Sequence, residues 1–227
     1  MNSTKFFPSS FSQVFLYFLI SFIWIFFVVQ FDLKYMNQYT LDKRMALESF
    51  LLYVGPIVLY FLINLLLKRN SKIEIKKINY IVLFKSILIV MILVIIAYTI
   101  NSILIKENKI INPYEANNWM LLSIGLIAPI GEELIFRGII QRGLNQNIKP
   151  KWAIMISALL FMFVHQPNQY PLAITAGLLF GYTYYKTNNI LFPIILHIVA
   201  NNFSTLISFI HYKCNIIQDH LTLVDII

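Results

Sequence analysis

Three unbroken apolar runs, at positions 11–31, 48–67 and 80–105, decide what this chain can become. A helix rises 1.5 Å per residue, so about 20 residues cross a hydrocarbon core about 30 Å thick. Inside lipid a backbone must satisfy its own N–H and C=O groups, which makes each run a helix. Four later apolar stretches, near 118–143, 151–168, 171–187 and 189–211, are shorter or broken by polar residues. The expectation is an all-α, polytopic integral membrane bundle of about seven transmembrane helices, with six to eight as the range. Composition agrees: of 227 residues 59% are apolar and 12% charged, and mean hydropathy is +0.71. A soluble domain carries roughly 25% charge, so a globular enzyme in water is excluded. The single cysteine, Cys214, has no partner for an intrachain bridge. The first run is too long for a signal-peptide core and lacks a small-residue cleavage site, so it is retained as a helix.

Basic residues orient the stack. Lys5, Lys68, Arg69, Lys72, Lys76, Lys77, Arg142, Lys149, Lys151 and Lys186 fall on one side, and Lys34, Lys43, Arg44, Lys106, Lys109 and Lys213 on the other. Ten against six places the amino terminus in the cytoplasm of a multi-pass cell-membrane protein. The net charge of +8 lies in short loops between apolar runs, where it meets anionic headgroups of the lipid bilayer; no nucleic-acid partner is expected. Trp119, Trp152, Tyr182, Tyr184 and Tyr185 lie near predicted helix ends, as interfacial anchors do. No repeat of fixed period appears, and 1–227 reads as a single membrane domain, with three helices lacking any motif in 1–117 and a motif-bearing core in 118–202. The tail from Cys214 to Ile227 carries Asp219 and Asp225 among apolar residues and is compatible with a helix lying in the interface.

Charged groups in lipid cost about 2.5 to 3.5 kcal/mol each on insertion scales and need a reason to be there. Glu132, Glu133 and Arg137 lie within LIAPIGEELIFRGII. Glu133 and Arg137, four apart, share a helix face and read as a structural ion pair, whereas Glu132 points about 100° away with no local cation. Phe161 and His165 share a face at the end of the next helix by the same spacing, and so do His197 and Asn201 in the last one. Helix rise puts Glu132, His165, His197 and Asn201 about 13 to 21 Å deep, in one layer. A carboxylate beside histidines at mid-depth is raw material for general-base chemistry. Ser123 and Cys214 have no base or cation placed to make either a nucleophile.

These segments resemble the CAAX protease and bacteriocin-processing family of intramembrane endopeptidases, also called the Abi family. The residues that carry the resemblance are EExxxR (Glu132, Glu133, Arg137), FxxxH (Phe161, His165) and HxxxN (His197, Asn201), in the family's order across positions 129–202. The resemblance implies hydrolysis of a peptide bond in an intramembrane cavity open toward the cytoplasm, on a peptide or lipidated peptide delivered at the membrane. Its implied roles are a water oriented and deprotonated by Glu132 with His165, an oxyanion held by His197 and Asn201, and a site braced by Glu133 with Arg137. No cofactor is expected. Zinc, if present, would take Glu132, His165 and His197, although the HExxH pairing of one-helix zinc sites is absent. Two other classes compete: a non-proteolytic immunity or regulatory protein that binds a bacteriocin, receptor or sensor, and a transporter, which the missing repeat disfavours. Maturation of a peptide and bacteriocin self-immunity are both compatible with the protease. Oligomeric state is not legible.

Overall fold

The computed structural model describes residues 6–36, 39–104 and 118–224. Lys5, Lys106, Lys109, Asp225 and Ile227, used above to read sidedness and the tail, lie outside them. Seven helices, and no strand, are present among the described residues. Helix α1 (Phe11–Tyr35) starts where the Ser10 hydroxyl accepts from the Gln13 N–H, and α2 (Leu41–Leu66) and α3 (Tyr80–Leu104) complete the motif-free half. Residues 118–144 form α4, helical throughout but alternating in pitch. It has π-helical turns over Ser123–Ile127 and Leu134–Gln141 on either side of an α-helical segment, Ala128–Glu133. The last three are α5 (Pro150–Phe163), α6 (Tyr170–Thr187) and α7 (Leu191–Val224).

Length separates these helices into two groups. Stretches in α1, α2, α3 and α7 are long and apolar enough to cross a membrane. Helix α5, with 14 residues, is about 21 Å long and falls short of the core thickness. Large side chains such as Phe15, Phe27, Leu66, Ile81 and Phe84 are more than half exposed. An apolar surface of that extent is stable facing lipid and not water, and the molecule is a multi-pass membrane helix bundle.

Two expectations are corrected here. The segment expected to be helical to 168 stops at Phe163: Pro167 follows with a short 3₁₀ turn, Pro167–Gln169, because proline disfavours helix in the residue before it. His165 therefore sits in the turn after α5 and not on its face. The tail is helical as far as Val224, continuing α7 without a break. Among the aromatics taken as interfacial anchors, Tyr184 is only 3% exposed and packs with Ile190 and Ile194.

One end of the bundle is sealed. The N-terminal hook is tied down by Asn64, whose Oδ1 accepts from the Phe7 N–H at 2.8 Å, and by Gln146, which donates to the Pro8 carbonyl at 2.9 Å. The loop 67–79 is fastened across the same end. Ser71 accepts from the Tyr60 hydroxyl, Glu74 from the Ile190 N–H, and Lys76 from the Asn189 side chain, all through backbone carbonyls. Beneath lie Tyr17, Tyr60, Ile139, Ile140 and Leu144, which are fully enclosed. Asn188, with φ of 46°, ends α6 in the left-handed conformation asparagine tolerates, turning the chain sharply into α7 at this end.

Candidate active site

The α-helical segment of α4 carries both glutamates, and the π turn after it carries Arg137. A π turn widens the helix and is commonest near functional sites. Glu133 and Arg137 nevertheless meet as their four-residue spacing predicts, at 2.9 Å, both wholly buried. The guanidinium also donates to the Gly177 carbonyl at 3.2 Å. It stacks near the rings of Phe161 and Phe180, with centroids 4.6 and 5.7 Å away. These contacts replace the water that a buried cation gives up. Gly177 makes the arrangement possible: a Cβ there would stand 3.0 Å from the backbone of Ala158 and force α5 and α6 apart.

The same Glu133 oxygen, Oε1, accepts from His197 Nδ1 at 3.0 Å. One carboxylate thus joins α4 to α7, fixes the imidazole tautomer and directs Nε2 outward. The His197 ring lies against Phe180 and meets Phe161 edge-on. Its Nε2 is 3.8 Å from Glu132 Oε2.

Glu132 takes a different partner from its neighbour, although each glutamate keeps one buried oxygen, Oε2, without a hydrogen bond. Glu132 Oε1 accepts from the Tyr53 hydroxyl at 2.7 Å, and its Oε2 is buried with no hydrogen-bond partner. Two points 3.8 Å apart can both lie about 2.8 Å from one water oxygen, so the orphaned oxygen and the imidazole can share a single small molecule. An unsatisfied buried carboxylate oxygen calls for such an occupant.

His165 and Asn201 complete the set from either side. His165 Nδ1 donates to the Phe161 carbonyl at 2.8 Å, and its ring packs on Phe161. Asn201 donates to the Ile124 carbonyl at 2.9 Å, which leaves its second amide hydrogen uncommitted by that bond. Both residues, with Glu132, Phe161 and His197, line one cavity of about 780 Å³. All seven residues singled out in the sequence therefore belong to one locality. Glu132, Glu133, Arg137, Phe161 and His197 form its tight centre, while His165 and Asn201 stand in the cavity wall.

Four participants were not legible. Tyr53 sits in an apolar run with nothing around it to mark a polar role. Gly131 opens its path, for a Cβ there would run into the Tyr53 ring. Phe180 and Gly177 look in sequence like ordinary packing residues of α6. Among the described residues no group of three or more His, Cys, Asp and Glu side chains is placed to hold a metal ion.

Comparison with known proteins adds a family to this geometry. Residues 114–203 match the family described as type II CAAX prenyl endopeptidase Rce1-like. Over 99 residues the chain is 32% identical to "Putative membrane peptidase YdiL" of Bacillus subtilis (strain 168). That alignment covers 43% of this chain and 41% of the relative, so the chain spans about two fifths of that protein's length. No solved structure matches. The matched segment contains each motif residue from Glu132 to Asn201 and leaves α1 to α3, Tyr53 included, outside it.

Proposed function

We propose that the protein is an intramembrane endopeptidase that hydrolyses a peptide bond in a membrane-associated peptide or lipidated peptide, using a water activated by Glu132. The observation that carries this reading is the buried, unpartnered Glu132 Oε2 in a cavity wall, 3.8 Å from an imidazole nitrogen whose ring is fixed from behind. Glu132, oriented by Tyr53, accepts a proton from the water as its oxygen attacks the scissile carbonyl carbon. His165, fixed through Nδ1, presents Nε2 to help orient that water. Asn201, one turn from His197 on α7, supplies a donor to the oxyanion, and His197 joins it through Nε2 when both of its ring nitrogens carry protons; their anchoring means little reorganisation as charge develops. Collapse of the tetrahedral intermediate breaks the C–N bond, and Glu132 returns its proton to the departing amine. The products are one carboxylate and one amine. No step runs through a metal.

The test is cleavage of a membrane-associated peptide by purified protein in detergent. Glu132→Gln, His165→Ala and His197→Ala abolish it, and a strong zinc chelator leaves the parent rate unchanged. Equal rates in parent and Glu132→Gln would sink the proposal. Where the gene protects cells from a bacteriocin, protection that survives Glu132→Gln at normal membrane abundance would instead identify a binding protein.

A further inference from the structure

Helix α4 touches α2 at two points that a regular helix would hold apart. The Ser123 hydroxyl stands 2.5 Å from that of Ser49, and further along α4 Glu132 accepts from the Tyr53 hydroxyl. Ser49 and Tyr53 are one turn apart on α2 and share a face. Successive residues of an α-helix turn by about 100°, so the step from 123 to 132 amounts to about two and a half turns and sets the two side chains on opposite faces. The π turn over Ser123–Ile127 removes this conflict. There the Ala128 N–H reaches back to the Ser123 carbonyl, so the turn takes in one residue more than an α turn. That extra residue absorbs about 100° of rotation and leaves Ser123 and Glu132 about 80° apart, both within reach of α2.

A π turn is rare and needs support from outside its own helix, and here α7 supplies it. The Gly125 carbonyl accepts from the Asn202 side-chain amide at 3.0 Å, and the Ile124 carbonyl accepts from that of Asn201 at 2.9 Å. The Asn202 amide also donates to the Ile198 carbonyl of its own helix at 2.8 Å, next to His197. Glycine at 125 makes room for this bridge, since a Cβ there would stand 2.7 Å from Asn202 Oδ1. One amide thus ties the turn that sets the rotation of Glu132 to the stretch of α7 that carries His197. We propose that Asn202 is a positioning residue for Glu132: held between Gly125 and Ile198, it keeps the α4 turn in its wide form and the Glu132 carboxylate facing Tyr53 and His197. Without it the segment relaxes to ordinary α turns, and Glu132 swings away from both. The catalytic consequence rests on the peptidase reading, whereas the rotation rests on the contacts of α4 alone.

Kinetics and crosslinking of the full chain in detergent test this together, with membrane abundance checked for each variant. Asn202→Ala lowers kcat about tenfold with KM unchanged, the scale of one lost hydrogen bond, and Gly125→Ala, which pushes the same amide away, acts alike. Leu126 is exposed and lines no part of the cavity, and its deletion takes the extra residue out of the turn. Helix α4 then runs regularly with Glu132 already in place, so in the shortened chain Asn202→Ala has no further effect. A residue that only held the bundle together would cost as much in either chain. For a readout without turnover, Tyr53→Cys and Gly131→Cys are combined in a Cys214→Ser background. A Cβ at 131 would lie 2.5 Å from that of Tyr53, so the pair needs to relax outward by only about 1 Å to form a disulfide on oxidation. Adding Asn202→Ala cuts the yield of that bridge severalfold. An Asn202→Ala kcat equal to the parent's, an equal loss in the shortened chain, or an undiminished bridge overturns the proposal. Where the shortened chain does not accumulate, kcat and the bridge decide. Where Glu132→Gln cleaves as fast as the parent, the peptidase reading falls and the bridge alone decides the role of Asn202.

Discussion

The two halves of the bundle along its length are built on different terms. In the half beneath the 67–79 loop, Gln141 and Asn64 donate their amides to backbone carbonyls, Gln141 Oε1 is left without a partner, and large side chains are fully enclosed. In the other half the helices stand around a cavity of about 780 Å³, and Glu132 keeps an oxygen without a partner. The boundary runs between two adjacent residues of α4. Glu133 faces the packed side and holds two cations or donors, whereas Glu132 faces the hollow side and holds only Tyr53. Neighbouring identical side chains have thereby been divided between architecture and chemistry.

That division can be broken most sharply at Glu132. Glu132→Gln lowers kcat about 10³-fold, within the range of general-base loss, while its thermal midpoint in detergent stays near that of the parent. A large drop in that midpoint would show that Glu132 belongs to the packed half after all. Arg137→Ala has the opposite signature: it strands Glu133 as an unpaired buried charge and costs about 3 to 5 kcal/mol of stability, read as lost membrane abundance and an early unfolding transition. Gly177→Val overpacks the α5–α6 contact and costs about 1 to 3 kcal/mol by the same readouts, with activity falling only as folded protein is lost. Tyr53→Phe removes a hydrogen bond to a carboxylate and lowers kcat about tenfold with KM unchanged. At the small end, Leu206→Ala on the half-exposed cavity wall changes stability by about 0.5 kcal/mol or less, because there is no packing behind it to lose. A Leu206→Ala cost as large as that of Gly177→Val would erase the contrast.

The membrane class and the helix number were legible because apolar length is a direct consequence of bilayer thickness. Glu133 with Arg137 was legible for a similar reason, since four-residue spacing puts two side chains on one helix face. What spacing cannot carry is contact between helices. The bond from His197 to Glu133 spans 64 residues and that from Tyr53 to Glu132 spans 79, and neither partner announces the other. Nor does regular helical spacing anticipate wide turns, so the π segments of α4 were invisible. His165 shows how a right neighbour can be reached by a different route. Spacing placed it beside Phe161 on a helix face, while in the structure the helix has ended and a side chain to carbonyl bond keeps the two together.

Glu133 has a lasting consequence for how such a protein can change over generations. Because one oxygen is tethered at once to Arg137 and His197, drift at position 133 endangers the scaffold itself, whereas drift at position 132 would silence the proposed reaction and spare the scaffold. A descendant could forfeit the proposed hydrolysis and keep a well-formed bundle, and the first glutamate of the pair is where that loss would be written.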